Sequence, residues 1–197
     1  MIVVLGRPGL THDGRLDRPA GRIAFAAAEA GARVELVGSV GDDADGEAVA
    51  LELGKAAIGH AALLRDPAGV TPRATADAAE EAHALPRLDA ADLDLGLRYI
   101  TDCHVLVAAE PLDPEATDIV TGAATYHGAA LILVTATATT PAVELPGSAT
   151  VLEMPDHDDG AFAVLVGRYA ALLDGGREAP EAWHDALVET GWESSAG

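Results

Sequence analysis

Glu110 is the carboxylate of this chain whose surroundings best suit it to chemistry. It follows the apolar run HVLVAA at 104–109 and precedes Pro111, so an acid stands where a buried strand ends. A carboxylate there accepts two directed hydrogen bonds, the usual means of gripping polyol hydroxyls. The same acid could instead complement the dipole of the helix that follows. Asp156, His157, Asp158 and Asp159, in PDHDDG, form the densest cluster of potential metal ligands. Oxygen donors on a loop suit Mg²⁺ with water completing its octahedron. Their alternative role is to cap the helix that starts at Ala161. His12 and Asp13 read either as an acid–base pair or as surface residues. Arg22, just ahead of the first expected helix, either meets an anion at that helix's N-terminus or makes a surface salt bridge.

The elements that must position these groups are organised around GARVELVGSVGDDADG at 31–46. Its β-formers break into a Gly- and Asp-rich loop, with an Ala-rich helical segment ahead of it at 23–30 and a second helix behind it at 47–57. Asp43 or Asp45 can cap that second helix. Helix, glycine turn, strand, acidic loop and helix make a βα crossover unit. Further strands are expected at 1–6, 33–38, 61–65, 104–109, 131–135 and 150–154, their continuous apolar runs suiting a sheet buried on both faces. Further helices are expected at 88–100, 114–127, 161–173 and 180–190, with Asp89 as N-cap of the first of these, and Pro114 in the first turn and Gly128 at the close of the second. Residues 7–20 read as loop, and 67–86 as polar and irregular. This alternation predicts an α/β protein with a mostly parallel sheet and helices on both faces. One domain over 1–193 and a frayed tail at 194–197 complete the expectation.

Composition narrows the partners. The chain has 197 residues, a formal charge of −20 and a single lysine, Lys55. Such a surface repels phosphate backbones and anionic lipid, so nucleic acid and membrane partners are not expected. Cys103 is the only cysteine, which leaves no disulfide framework and no cysteine-based zinc site. Its apolar neighbours make it a buried small hydrophobe. No apolar run reaches the roughly 20 residues of a membrane helix, and the start lacks a signal-peptide layout, so a cytoplasmic protein is expected. Ligands in such folds lie beyond the carboxyl ends of the strands. No GxGxxG follows the first strand and no GxxxxGK[ST] occurs, so dinucleotide and P-loop readings fail. GxSxG and HExxH are absent too.

With these motifs in place, the chain resembles the ribokinase, or PfkB-type, family of carbohydrate and nucleoside kinases. AGRIAFAAAEAGARVELVGSVGDDADG at 20–46 is similar to that family's first signature, a Gly-Gly-x-x-x-Asn stretch before an Ala-rich helix and a VGxDxxG turn. VLVAAEPL at 105–112 looks like its strand ending in a substrate-contacting Glu. LILVTATA at 131–138 resembles its strand into an Asn-Pro-Ala-Pro-Ala loop, and VLEMPDHDDGA at 151–161 its Pro-Asn-Glu region near phosphate and Mg²⁺. The resemblance implies a three-layer αβα, Rossmann-like fold. It implies substrate contacts at Asp13, Gly21, Arg22 and Glu110, and a phosphate or metal region at Asp156 and Asp159.

The departures are as informative as the matches. Arg22 replaces the family's substrate-binding Asn, and 6–21 is too short for the strands that form its lid. The C-terminal third, with the Gly-Ala-Gly-Asp anion hole and catalytic base, is absent from this alignment. Aligning 158–176 to that motif instead puts Gly160 where the base belongs, so no catalytic residue is assigned. Phosphoryl transfer needs positioned cations and a base for the attacking hydroxyl. The resemblance therefore implies a shortened, pseudokinase-like member that binds a small sugar or nucleoside and forms a homodimer. ATP and Mg²⁺ enter only if kinase activity is retained. Two other readings stay open: an active kinase completed by a partner subunit, and a non-catalytic structural or regulatory dimer subunit.

Overall fold

The structure, a computed structural model, describes residues 1–74, 84–136, 145–155 and 160–192. Among these, six strands form one parallel sheet: β1 (Ile2–Gly6), β4 (Val34–Gly41), β5 (Gly59–Asp66), β6 (Val105–Ala108), β7 (Ala130–Thr135) and β8 (Ala149–Glu153). A separate antiparallel ribbon pairs β2 (Gly9–Leu10) with β3 (Leu16–Asp17). Strand order in the sheet is β5-β4-β1-β6-β7-β8. The chain moves outward from β1 through β4 to β5, then crosses back to β6 on the other side of β1. This reversal makes the gap between β1 and β6 the switch point of the sheet.

Each strand feeds two cores. Ile2 and Val4 join a cluster with α1 (Arg18–Glu29), α2 (Ala44–Lys55), α5 (Ala161–Asp174) and α6 (Ala179–Thr190). Val3 and Leu5 point to the opposite face, under α3 (Ala90–Leu97) and α4 (Pro114–His127). Burial on both faces explains why the strands read as unbroken apolar runs rather than alternating ones. The layering is α, β, α.

Local signals set most element ends where the sequence puts them. Asp89 accepts from the backbone of Asp92 while Asp92 accepts from that of Asp89, a full capping box at the start of α3. Pro114 opens α4, and Gly128 closes it in the left-handed conformation. Asp43, rather than Asp45, caps α2 through the Gly46 amide.

The segment read as loop at 7–20 differs. It folds into the β2–β3 ribbon, and α1 begins at Arg18 instead of 23. Pro19 in the first turn is the cause, since its missing N–H is no loss there and its φ already suits a helix. Its place in the RLDRPAG string made it read as a turn. The ribbon is tied down by a bridge between Leu10 and Arg73, whose guanidinium also holds Asp45 at 2.6 Å and the Thr11 carbonyl at 3.2 Å. In the irregular region, Val70 donates its amide to the Ala84 carbonyl at 2.9 Å. Residues 75–83 and the expected tail at 194–197 lie outside the described residues. No helix among the described residues is long and apolar enough to cross a membrane.

Candidate functional site

Register carries five side chains to one level at the carboxyl edge. Leu5 pairs with Ala108, Ala108 with Leu133, and Val37 is partner to Leu5. All four face the core beneath α3 and α4. Two residues further along β4 and β7, Ser39 and Thr135 share that face, while Arg7 and Glu110 stand two residues past Leu5 and Ala108, just beyond the ends of β1 and β6. Glu153, paired with Thr135, extends the row onto β8. The row reads Ser39, Arg7, Glu110, Thr135, Glu153, with the switch point between its second and third members.

At that point Arg7 Nε donates to Glu110 Oε1 at 2.7 Å. Both side chains are partly buried, 24% and 15% exposed, so the pair is not an ordinary surface bridge. Arg7 Nη1 reaches the Pro86 carbonyl at 3.5 Å, while Nη2 and Glu110 Oε2 have no hydrogen-bond partner among the described residues. A free acceptor beside a free donor is what a ligand hydroxyl can satisfy, donating to one and accepting from the other. The neighbours on each side add to this. Ser39 Oγ and Thr135 Oγ1 are buried, 1% and 8% exposed, and neither finds a partner among the described residues. Unpaired buried hydroxyls cost about 1–3 kcal/mol each, so a ligand hydroxyl that paired with Ser39 or Thr135 would recover that cost; Thr121 Oγ1 on α4, away from this row, is unpaired as well. Glu110, Thr117 and Thr135 line a small cavity of about 50 Å³ with Pro111 and Leu112.

The first turn of α1 closes on the same place. A Cβ at Gly6 would stand 2.9 Å from Ala20 Cβ and 3.6 Å from Glu110 Cδ. Only a glycine there lets α1 and Glu110 approach this closely.

The remaining sequence-derived residues fall into three positions. Asp13 sits in the turn of the β2–β3 ribbon, where the Thr11 hydroxyl and Arg15 Nε, at 2.9 Å, donate to it. The Thr11 hydroxyl first and Arg15 next lower its pKa to about 2. Its bonds stay within the ribbon, so the pairing with His12 does not form. Gly21 packs beneath Leu16 and Pro8. Arg22 lies inside α1 rather than ahead of it, because the helix starts four residues earlier. Its Nε donates to Asp17 Oδ1 at 2.6 Å, and Asp17 makes no side-chain cap on α1. The Arg22 guanidinium also lies against Gly160, the first residue of the α5 N-terminus, where any Cβ would collide with Nη1 at 1.6 Å. That terminus follows the carboxyl end of β8, so it opens on the same edge as Glu110. Asp156 to Asp159 lie outside the described residues. Among the described ones, no group of three His, Cys, Asp or Glu could hold a metal ion.

Arg7, Ser39 and Thr135 escaped the sequence reading. Their signal was available for Arg7, which follows MIVVLG just as Glu110 follows HVLVAA. Cys103 is 4% exposed, with its thiol pushed up to about 11 by burial, in keeping with a packing role.

No family model matches the chain, and no curated protein matches it by sequence. Solved structures do match it. Ribokinase from Giardia lamblia is similar at a TM-score of 0.67 and 14% identity, over 98% of this chain and 95% of that one. Ribokinase from Arabidopsis thaliana, solved with ribose and ATP, gives 0.66 and 12%, over 96% and 90%. Phosphofructokinase-2 from Escherichia coli gives 0.65 and 13%, over 96% and 91%. At such identities the likeness speaks for the fold, which is a shortened ribokinase-like α/β fold.

Proposed function

We propose that this chain binds a small sugar or nucleoside at the carboxyl edge of its sheet and has no phosphotransferase activity of its own. The observation that carries this reading is the Arg7–Glu110 pair at the switch point, with a free donor and a free acceptor side by side. The buried hydroxyls of Ser39 and Thr135 support it from both sides. A polyol offers hydroxyls that both donate and accept, and such groups match this row better than a flat apolar ligand does. Similar structures include a ribokinase solved with ribose and ATP. On the transfer side, the preferred alignment holds no counterpart of the family's base, and aligning 158–176 to that motif instead puts Gly160 there, which can take no proton from an attacking hydroxyl.

The test is calorimetry with a panel of pentoses, hexoses and nucleosides. One member should bind, and Glu110→Ala should weaken it at least tenfold. Equal affinity in wild type and variant removes Glu110 from the site, and no binding from the whole panel removes the reading. A ligand at 100 times its Kd adds about 2.7 kcal/mol of stability, which a thermal shift registers independently.

A second reading, a working kinase completed by a partner subunit, draws on one feature. The α5 N-terminus lies beside Arg22 just after the carboxyl end of β8, and the dipole of a helix start favours negative charge. Release of ADP from Mg·ATP with the bound sugar would establish it. We also propose a homodimer; a melting temperature that rises with protein concentration, without response to any ligand, would favour the structural-subunit reading.

A further inference from the structure

Beside the β2–β3 ribbon, three cations line one cavity. A cavity of about 480 Å³ opens between the β2–β3 ribbon, α1 and α2. Leu16, Phe25 and Ala56 supply its apolar wall, and Arg15, Arg22 and Lys55 its cations. Phe25 is 42% exposed, so its ring face is open to a ligand lying in the cavity.

The charge balance of this lining opposes that of the protein. Asp and Glu outnumber Lys and Arg by 32 to 12 in the whole chain. Among the cavity's lining residues the cations number three and the only acid is Glu52. The carboxylates that pair with the arginines, Asp13 on Arg15 and Asp17 on Arg22, are not part of the lining. Lys55 gives Glu52 one bond at 2.6 Å, and an ammonium has three donors. The cavity volume falls in the range that holds metabolite-sized ligands. Apolar floor and cationic rim together ask for a molecule with a flat apolar body and a negative group.

We propose that this cavity is a second ligand site, one that binds an organic anion with its ring against Phe25 and its charge toward Arg15 and Lys55. Its occupancy does not depend on what the carboxyl-edge row binds.

The probe is 8-anilinonaphthalene-1-sulfonate, which carries both features and fluoresces on leaving water. Titration of the native protein in low salt should give one saturable site. Arg15→Glu/Lys55→Glu reverses two exposed charges, and should weaken that site at least tenfold at a temperature where its far-UV circular dichroism matches that of wild type. Phe25→Ser should weaken it as well. Competition then sorts the natural anion: adenosine 5′-monophosphate displacing the probe indicates a nucleotide phosphate, and salicylate alone displacing it indicates a carboxylate. The proposal fails if the fluorescence never saturates, if the charge-reversed variant binds the probe as tightly as wild type, or if neither competitor displaces it.

Discussion

Asp43 accepts from the Gly46 amide at 2.7 Å and from the Thr71 amide at 2.8 Å, while the Thr71 hydroxyl takes the Gly41 amide at 2.9 Å. One carboxylate thus caps α2 and pins residues 28 positions away. Burial opposes its ionisation, yet the amides of Thr71 and Gly46 together hold its pKa below the ordinary 3.8. Removing it in Asp43→Ala should cost about 1–2 kcal/mol at pH 7, read by urea unfolding. A depressed carboxyl stabilises the fold above its unfolded pKa and loses that contribution as pH falls through its folded value. The gap between wild type and Asp43→Ala should therefore hold down to about pH 4 and narrow below it; a gap that widens in acid would contradict this. The acidic loop was visible in VGDDADG, and so was a cap. That Thr71 shares it was not, because the partner lies beyond β5 and no local pattern points to it. The same holds for the site. Glu110 announced itself by following a buried strand, whereas its bond to Arg7 exists only once β1 and β6, 103 residues apart, lie side by side.

At the level of elements, glycines divide into those that space permits to change and those it does not. A Cβ on Gly38 in β4 would fall 1.9 Å from the Gly6 carbonyl oxygen, which is backbone and cannot swing away. Gly38→Ala should cost about 3 kcal/mol, the upper end of the usual overpacking penalty. Gly122, exposed on α4, has nothing within 4 Å of the same position. Gly122→Ala should stabilise by about 0.5–1 kcal/mol through helix propensity alone. Thermal melts of the two variants should move in opposite directions, and a shared direction would refute the packing argument. Helices with a strong local signature, α3 and α4, were legible from Asp89, Pro114 and Gly128. The start of α1 was not, since Pro19 and Gly21 read equally as a turn, and the fitness of Pro19 for a first helical turn shows only once the helix behind it is known. The β2–β3 ribbon stayed hidden for a similar reason: strands of two residues carry no period, and this ribbon is held from outside by Arg73.

Across the whole molecule, the sheet and its two covering layers followed from the rhythm of apolar runs and Ala-rich helices, because parallel strands buried on both faces leave a strong imprint. Charge is the other property set by the whole. With a formal −20 spread over a small domain, self-repulsion opposes the compact state. Raising KCl from about 0.01 M to about 1 M cuts the screening length from about 30 Å to about 3 Å. The melting temperature should climb over that range; a flat or falling profile would mean that local ion pairs, not repulsion, dominate the balance. Packing of α1 against α5 has a different consequence, one of order in time. Gly167 of α5 sits where a side chain would strike Ala26 and the Ile23 carbonyl, so the two helices fit backbone to backbone, and Ile23 is fully buried in the core they share. A ribosome makes α1 about 140 residues before α5, at roughly 5–20 residues per second, so this face waits about 7–28 seconds for its cover. Chains stalled before α5 leaves the exit tunnel should be cut readily by protease, and chains stalled after α6 emerges should resist. The fold is closed by its last quarter, and until then the apolar face of its first helix has no cover.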